Sequence, residues 1–480
     1  MQHAEVARQS GSSSHNEQHF MIGNLDESEF VKILHQHLSP TAPIQLEENL
    51  CGREPQVRKI KQALYAPGRS IFIHGDRGVG KTSLAQTVAY KHQSANRDPV
   101  FLVCTPQTTF GTIMRGVINA LEQPQRIRHS GVATTHQGTL GVPGVASYQV
   151  IRQPQQIDIA AAAADPVDDL NHVVALLSQI SANTKEDTVV VIDEFDRIAS
   201  DEERSHFADF IKQIGDQKIT VRFVFCGVGE SLDKLLGAHG SCYRYLESVE
   251  LPRLSWDARW EIVDRAAAAL KVTVGDRPRF RIAAISDGFP HYVHLVCEKL
   301  FWEMFEDTEP CIAAGSGHYT SAVAASVLGI EQHLKQTYDS AIMQNADGFE
   351  EVLWAVADHS DLFRRPDSIY ESYLNIMRAA NRTALDRHIF AARLRTLKSA
   401  RCNQIVATNG AGWLHFRESI VRGYVRLRAE EQGVELALEY QAAKVKQGSW
   451  PQRGAKRGRF GTTQRDWQQM QNPDEEDSGS

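Results

Sequence analysis

At 480 residues, with 42% hydrophobic, 8% aromatic and 23% charged residues, the chain has the make-up of a globular protein of roughly three domains, taking about 150 residues for each. That composition excludes wholesale disorder, collagen and coiled coil. No apolar run approaches the roughly 18–20 residues of a bilayer-spanning helix, and the opening Met1–Phe20 lacks the apolar centre of a secretory signal. Seven scattered cysteines never form a Cys-x-x-Cys pair, so neither a disulfide framework nor a zinc ribbon is indicated. A soluble, cytoplasmic protein in a reducing compartment is expected, with no membrane partner. The net charge of −7 conceals a basic C-terminal end: residues 361–430 carry 13 Lys/Arg against 6 Asp/Glu, and residues 444–465 carry 7 and no acid. An anionic polymer would meet the chain there.

In chain order, residues 1–25 read as a disordered leader. Asp26–Leu38 reads as a short amphipathic helix with Asp26 and Glu29 at capping-box spacing. From about 50 to 252, β-rich runs (Ser70–His74, Pro99–Cys104, Thr188–Asp193, Val221–Cys226, Tyr245–Leu251) alternate with helical patterns such as Thr82–His92 and Asp168–Ile180. This alternation predicts an α/β core, a parallel sheet wrapped by helices. Within it, the polar stretch 122–156 lacks either period and reads as a functional loop or flexible insertion. Residues 253–345 are helical in period, over Trp256–Leu270, Arg279–Ala284, Pro290–Phe305 and Tyr319–Met343. Three more helical patterns follow, Phe349–His359, Ser368–Ala379 and Asp386–Ser399. A hairpin signal comes next, Asn403–Thr408 and Trp413–Glu418 around Asn409-Gly410-Ala411-Gly412. Three helices and a hairpin outline a winged helix within 346–443, and residues 444–480 read as a disordered tail.

The strongest chemical signal is Gly75-Asp76-Arg77-Gly78-Val79-Gly80-Lys81-Thr82, continuing into Ser83, set directly between a predicted strand and a predicted helix. It matches G-x-x-x-x-G-K-[ST] completely. Glycines let successive backbone N–H groups face a phosphate chain, the helix N-terminus adds its positive dipole, and Lys81 reaches the β and γ phosphates. The Thr82 hydroxyl is a candidate Mg²⁺ ligand. Downstream, Thr188–Asp193 is an apolar strand ending in Asp193-Glu194. Asp193 is placed to hold the Mg²⁺ shell and Glu194 to orient and deprotonate an attacking water.

Together these segments resemble the AAA+ ATPases of the origin-recognition/initiator-like branch, related to the STAND signalling ATPases. The likeness covers about residues 50–305, and more loosely extends to 430. It implies a P-loop three-layer αβα core with strand order 5-1-4-3-2, a helical lid and a winged helix. It also implies ATP and Mg²⁺ as ligands and assembly into a homo-oligomer on ATP binding. Leu50-Cys51-Gly52-Arg53-Glu54 is similar to the box lining the adenine pocket, which assigns Arg53 to the nucleotide. Asp193-Glu194-Phe195-Asp196 is similar to the Walker B segment. Glu230 and Ser231 occupy the region of the first sensor, where the family usually has Asn, Ser or Thr. Arg244 stands where relatives project an arginine finger into a neighbour's site; alternatively it caps a helix or pairs with a surface acid. Asp287-Gly288-Phe289-Pro290 resembles the STAND Gly-x-Pro, placing Pro290 by the base, and the usual second-sensor arginine is missing, with His291 next in line. That departure favours a slow switch over fast turnover.

On the third C-terminal helix, Arg387, Arg393, Arg395 and Lys398 could face double-stranded DNA, with Trp413 and Arg417 on a wing and Arg422, Arg426 and Arg428 adding charge on the following helix. The alternative is that this module packs on the ATPase as a latch. The tail cluster Arg453, Lys456, Arg457 and Arg459 either adds affinity or solubilises. His291 and His294, three apart on a predicted helix with no third ligand in view, read as core or surface histidines rather than a metal site. No Gly-x-Ser-x-Gly elbow, protein-kinase set or ABC signature occurs. Two functions therefore stand side by side: an ATPase that assembles on DNA, and a STAND-like signalling or defence switch whose ATP-bound oligomer acts on a protein partner.

Overall fold

The computed structural model describes residue 22 and residues 25–44, 46–93, 98–122, 169–183, 188–229, 232, 235, 240–307, 311–342 and 348–436. Apart from Ile22 and Leu25, the expected leader lies outside the described residues, as do the excursion beyond Glu122, Glu230, Ser231 and the basic tail.

Helix α1 (Glu27–His37) starts where Asp26 accepts a hydrogen bond from the Glu29 N–H at 2.8 Å. Helix α2 (Glu54–Tyr65) leads into β1 (Ser70–His74), and the P-loop follows, opening α3 (Lys81–His92). The core continues through β2 (Val100–Val103), α4 (Phe110–Glu122), α5 (Leu170–Asn183), β3 (Thr188–Asp193), α6 (Asp201–Asp216), β4 (Val221–Gly227) and β5 (Leu246–Glu250). The five strands are all parallel in the order β2-β3-β4-β1-β5, which is the expected 5-1-4-3-2 read from the other edge. Strand side chains alternate between two apolar layers, as the period of two demands. Ile71, Ile73, Val189, Val191, Val224 and Cys226 face α2 and α3. Phe72, Val190, Ile192, Phe223 and Phe225 face α4–α6, where Phe195, Phe207 and Phe210 complete an edge-to-face aromatic cluster. Burial on both faces explains the near-continuous apolar strands.

After β5 come α7 (Trp256–Ala269), β6 (Thr273–Val274), α8 (Asp276–Ser286), α9 (Pro290–Phe305), β7 (Ala313–Ala314) and α10 (Ser316–Gly329). Ser255 caps α7, and Pro290 opens α9 at a position where no amide donor is needed. The single helix expected over Tyr319–Met343 is two, α10 and α11 (Gln332–Ile342). The break follows Gly329, a poor helix residue, and extended Ile330 turns its side chain into the core.

The C-terminal module contains α12 (Phe349–Ala357), α13 (Pro366–Ala379), α14 (Arg387–Leu397), the antiparallel pair β8 (Val406–Thr408) and β9 (Leu414–Phe416), and α15 (Val421–Glu431). The hairpin is shorter than the sequence pattern implies, and its loop is closed by bonds between Asn409 and Trp413. Helix α15 returns to α8 and α10: Arg281 of α8 pairs with Glu430, both buried, while the Tyr319 hydroxyl donates to Glu430 at 2.7 Å.

Candidate nucleotide-binding site

The P-loop runs from the end of β1 to the first turn of α3 with three glycines at positive φ, Gly75, Gly78 and Gly80. Gly75 requires glycine for space as well as conformation, because backbone stands in the way, whereas at Gly78 the positive φ is the constraint and the neighbour is a side-chain end. A Cβ on Gly75 would sit 2.3 Å from the Leu251 carbonyl oxygen, and one on Gly78 2.5 Å from Ile420 Cδ1. Lys81 Nζ donates to the carbonyls of Gly75 and Asp76 at 2.9 and 2.8 Å, folding back over the loop. Burial lowers its pKa from the ordinary lysine range, opposed by nearby groups including Asp196, Asp193 and Asp76.

Parallel pairing across the sheet brings Asp193, at the end of β3, to the first turn of α3. The Thr82 hydroxyl donates to Asp193 Oδ2 at 2.6 Å. Burial raises the Asp193 pKa, countered by this bond and by the Glu194 N–H on Oδ1. Glu194 sits in the left-handed region at φ 52°, beyond the strand, and accepts from Arg197 Nη1 at 2.8 Å. Arg77 reaches across to Asp196 at 3.2 Å. Hydroxyl and carboxylate oxygens side by side form a hard-oxygen donor set, which suits Mg²⁺.

Arg53 is buried, and desolvation brings its pKa down to about 10. Its guanidinium donates to the Val79 carbonyl at 2.9 Å and the Pro252 carbonyl at 2.6 Å, tying the P-loop to the end of β5. Ser83 Oγ accepts from the Ile44 N–H at 3.2 Å, and Thr87 of the same helix donates to the Ile44 carbonyl, so the chain before α2 lies along α3. Pro290 Cγ is 3.9 Å from where a Gly80 Cβ would be, placing the start of α9 against the loop. Arg244 is exposed beyond the last turn before β5, beside Tyr243, which is 63% exposed.

The structure corrects the expected basic surface of the last helix. Arg422 and Arg426 are 1% and 3% exposed. With Arg253 they surround Asp287, the residue that ends α8: Arg253 lies 2.7 Å from its carboxylate, Arg426 3.3 Å and Arg422 3.5 Å. Arg426 also donates to the carbonyls of Ala284, Ala357 and His359, bonding the C-terminal ends of α8 and α12. Burial opposes ionisation of Asp287, but these arginines outweigh it and hold its carboxyl below the usual range. Arg428 pairs with Glu431. Arg393 stacks over Phe349 at 5.0 Å, whereas Arg387 and Arg395 are exposed. Ile420, on the P-loop at Gly78, and Tyr292, which donates to the Ile420 carbonyl at 2.7 Å, carry no chemistry that a motif would flag. Their only trace in the sequence is an apolar residue ahead of one helix, Ile420, and an aromatic residue in the first turn of another, Tyr292.

Residues 49–222 match the family described as AAA ATPase domain. No curated protein matches the chain significantly. Among solved structures the chain is similar to the Walker-type ATPase PABY2304 of Pyrococcus abyssi, at 13% identity over 80% of this chain and 99% of that chain with a TM-score of 0.47. It is also similar to Cdc6p from Pyrobaculum aerophilum, at 15% over 85% and 99% with a TM-score of 0.39. The Aeropyrum pernix ORC1 protein, solved in complex with DNA, gives 14% over 81% and 96% with a TM-score of 0.39. No described helix is long and apolar enough to cross a membrane. The family match, the complete phosphate-loop motif and the strand order agree: residues 49–222 are similar to the AAA ATPase domain, a P-loop nucleotide-binding fold.

Proposed function

We propose that the chain binds and hydrolyses MgATP as an initiator-like AAA+ ATPase that assembles on ATP and acts on DNA through α14 and the β8–β9 hairpin. In this reading residues 26–252 are the ATPase core, 253–345 the lid and linker helix, and 346–443 a winged helix, with the cytoplasm as the setting. The observation that carries the catalytic part is the Thr82–Asp193 contact at 2.6 Å with Glu194 next in the chain. Thr82 and Asp193 would hold Mg²⁺, which when bound neutralises charge on the β and γ phosphates. Lys81 exchanges its two backbone carbonyls for phosphate oxygens. Glu194, released from Arg197, takes a proton from water as the water oxygen bonds to the γ phosphorus and the β–γ bridge breaks. Arg244 of a neighbouring copy faces the developing charge. Phosphate release that disappears in Glu194→Gln while nucleotide binding persists supports this; equal release from both proteins refutes it.

For the DNA arm, exposed Arg387 and Arg395 on α14 support duplex binding that weakens steeply with salt. Binding that is absent or indifferent to salt refutes it. A STAND-like switch without DNA is the second reading, and one contact favours it. Ile420 rests on Gly78 of the P-loop while Arg422 and Arg426 lock α15 to the lid at Asp287, so nucleotide arriving at the loop meets the C-terminal module directly.

A further inference from the structure

The turn that follows β3 is pinned over two other strands. Phe195, fully buried, packs edge-to-face on Phe72 of β1 and Phe225 of β4, at ring-centroid distances of 5.7 and 5.5 Å. The next residue, Asp196, has its backbone nitrogen 3.6 Å from where a Cβ on Gly227, the last residue of β4, would be. In the sheet β4 lies between β1 and β3. Arg77, on the P-loop beyond β1, reaches Asp196 from the far side, its Nη2 3.2 Å from Asp196 Oδ2. The P-loop and the turn after β3 are thus bridged across the carboxyl end of β4.

That is the direction in which a triphosphate must extend. Ligands of a parallel sheet sit beyond the carboxyl ends of its strands. The loop amides cradle the first two phosphates, and only the third lies between Lys81 of the loop and Glu194 of the turn. ADP therefore ends short of the bridge, whereas ATP meets it. The two ends of the bridge differ: the Asp196 side chain is 14% exposed in its anchored turn, and that of Arg77 is 62% exposed on a flexible stem. An ion pair this open to water is weakly held. A phosphate offers the same guanidinium two parallel charge-assisted bonds, so Arg77 gains by changing partner. Lys81 stands in the same situation, resting on the Gly75 and Asp76 carbonyls.

We propose that Arg77 is a specificity-determining residue that distinguishes ATP from ADP, bridged to Asp196 while no third phosphate is present and transferred to the γ phosphate when ATP binds. The inference rests on the P-loop reading above, and the test separates the two. Calorimetry on the full chain would compare MgADP with the magnesium salt of the non-hydrolysable β,γ-imido analogue of ATP. Arg77 is not at positive φ, so alanine fits its backbone. Arg77→Ala should weaken the analogue by at least about tenfold and leave ADP within about twofold, because only the third phosphate loses a partner. Asp196→Asn should shift the ratio of the two affinities the opposite way, by about threefold toward the analogue, and should leave that ratio unmoved when Arg77 is already alanine. A role confined to holding the loop would instead weaken both nucleotides alike in Arg77→Ala, or move the ratio the same way in Asp196→Asn, and either result overturns the proposal. Arg77→Gln carries the same expectation should the alanine variant not fold. Neither nucleotide binding to the unaltered chain overturns the P-loop reading, and this inference with it.

Discussion

Asp287 shows how far one side chain's role departs from its appearance in the sequence. Beside Gly-x-Pro it looks like part of a nucleotide motif, yet its carboxylate is the shared counter-charge for Arg253, Arg422 and Arg426. Asp287→Asn keeps the shape and removes the charge, leaving buried guanidiniums uncompensated. A loss of about 3–5 kcal/mol is predicted, read as a fall in the urea midpoint. An unchanged midpoint would mean that the helix carbonyls alone satisfy the arginines. His294 gives a pH signature. Its folded pKa lies near 4 against an ordinary 6.5, so the unfolded chain takes up a proton first as pH falls. Stability is therefore whole above about pH 6.5 and declines toward pH 4, by roughly 2–3 kcal/mol between pH 7.5 and 4.5. His294→Phe should flatten that portion of the urea-midpoint profile; an unaltered slope would place the titration elsewhere. At this scale the phosphate loop was legible because its eight residues are contiguous and each has a distinct job. Arg422 and Arg426 were not. An i, i+4 basic pair reads as a solvated stripe until the partner helix that buries it is known.

Among the elements, α15 with Ile420 at its N-cap is the one whose placement changes the functional reading. It touches α8 and α9 through Tyr292, Arg281 and Asp287, and the P-loop through Gly78. Gly78→Ala combines a φ of 83° with a Cβ driven onto Ile420, so it should both loosen α15 and misplace the loop's amides. The predicted results are nucleotide affinity lower by at least about tenfold and faster amide hydrogen exchange across 421–431. Exchange unchanged there would show that the contact does not couple the two elements. The sheet strands and α9 were legible nearly to the residue, because strands buried on both faces form continuous apolar runs bounded by turn chemistry. The α10–α11 break was not, since one glycine inside an otherwise helical period carries little weight until the burial of Ile330 is seen.

Across the described residues, the helices α7–α11 and the C-terminal module share one apolar core, joined further by the Arg281–Glu430 pair and by Arg426 bridging α8 to α12. A rearrangement driven by nucleotide would therefore move the two together. With Arg244 and Tyr243 exposed beside the core, light scattering should show a rise in mass with MgATP that is largest in Glu194→Gln, and Arg244→Ala should lose turnover while keeping nucleotide affinity. A monomer in every nucleotide state would contradict the assembly. The order of strands and helices was readable from the switch between two- and 3.6-residue periods, whereas their docking was not, because it depends on a handful of distant contacts.

The most direct measurement is calorimetry of MgATP against the full chain and against Lys81→Ala. The account predicts saturable one-site binding to the former, reduced by at least about a hundredfold in the latter. Equal binding by both proteins, or no heat from a folded wild-type chain, would contradict it.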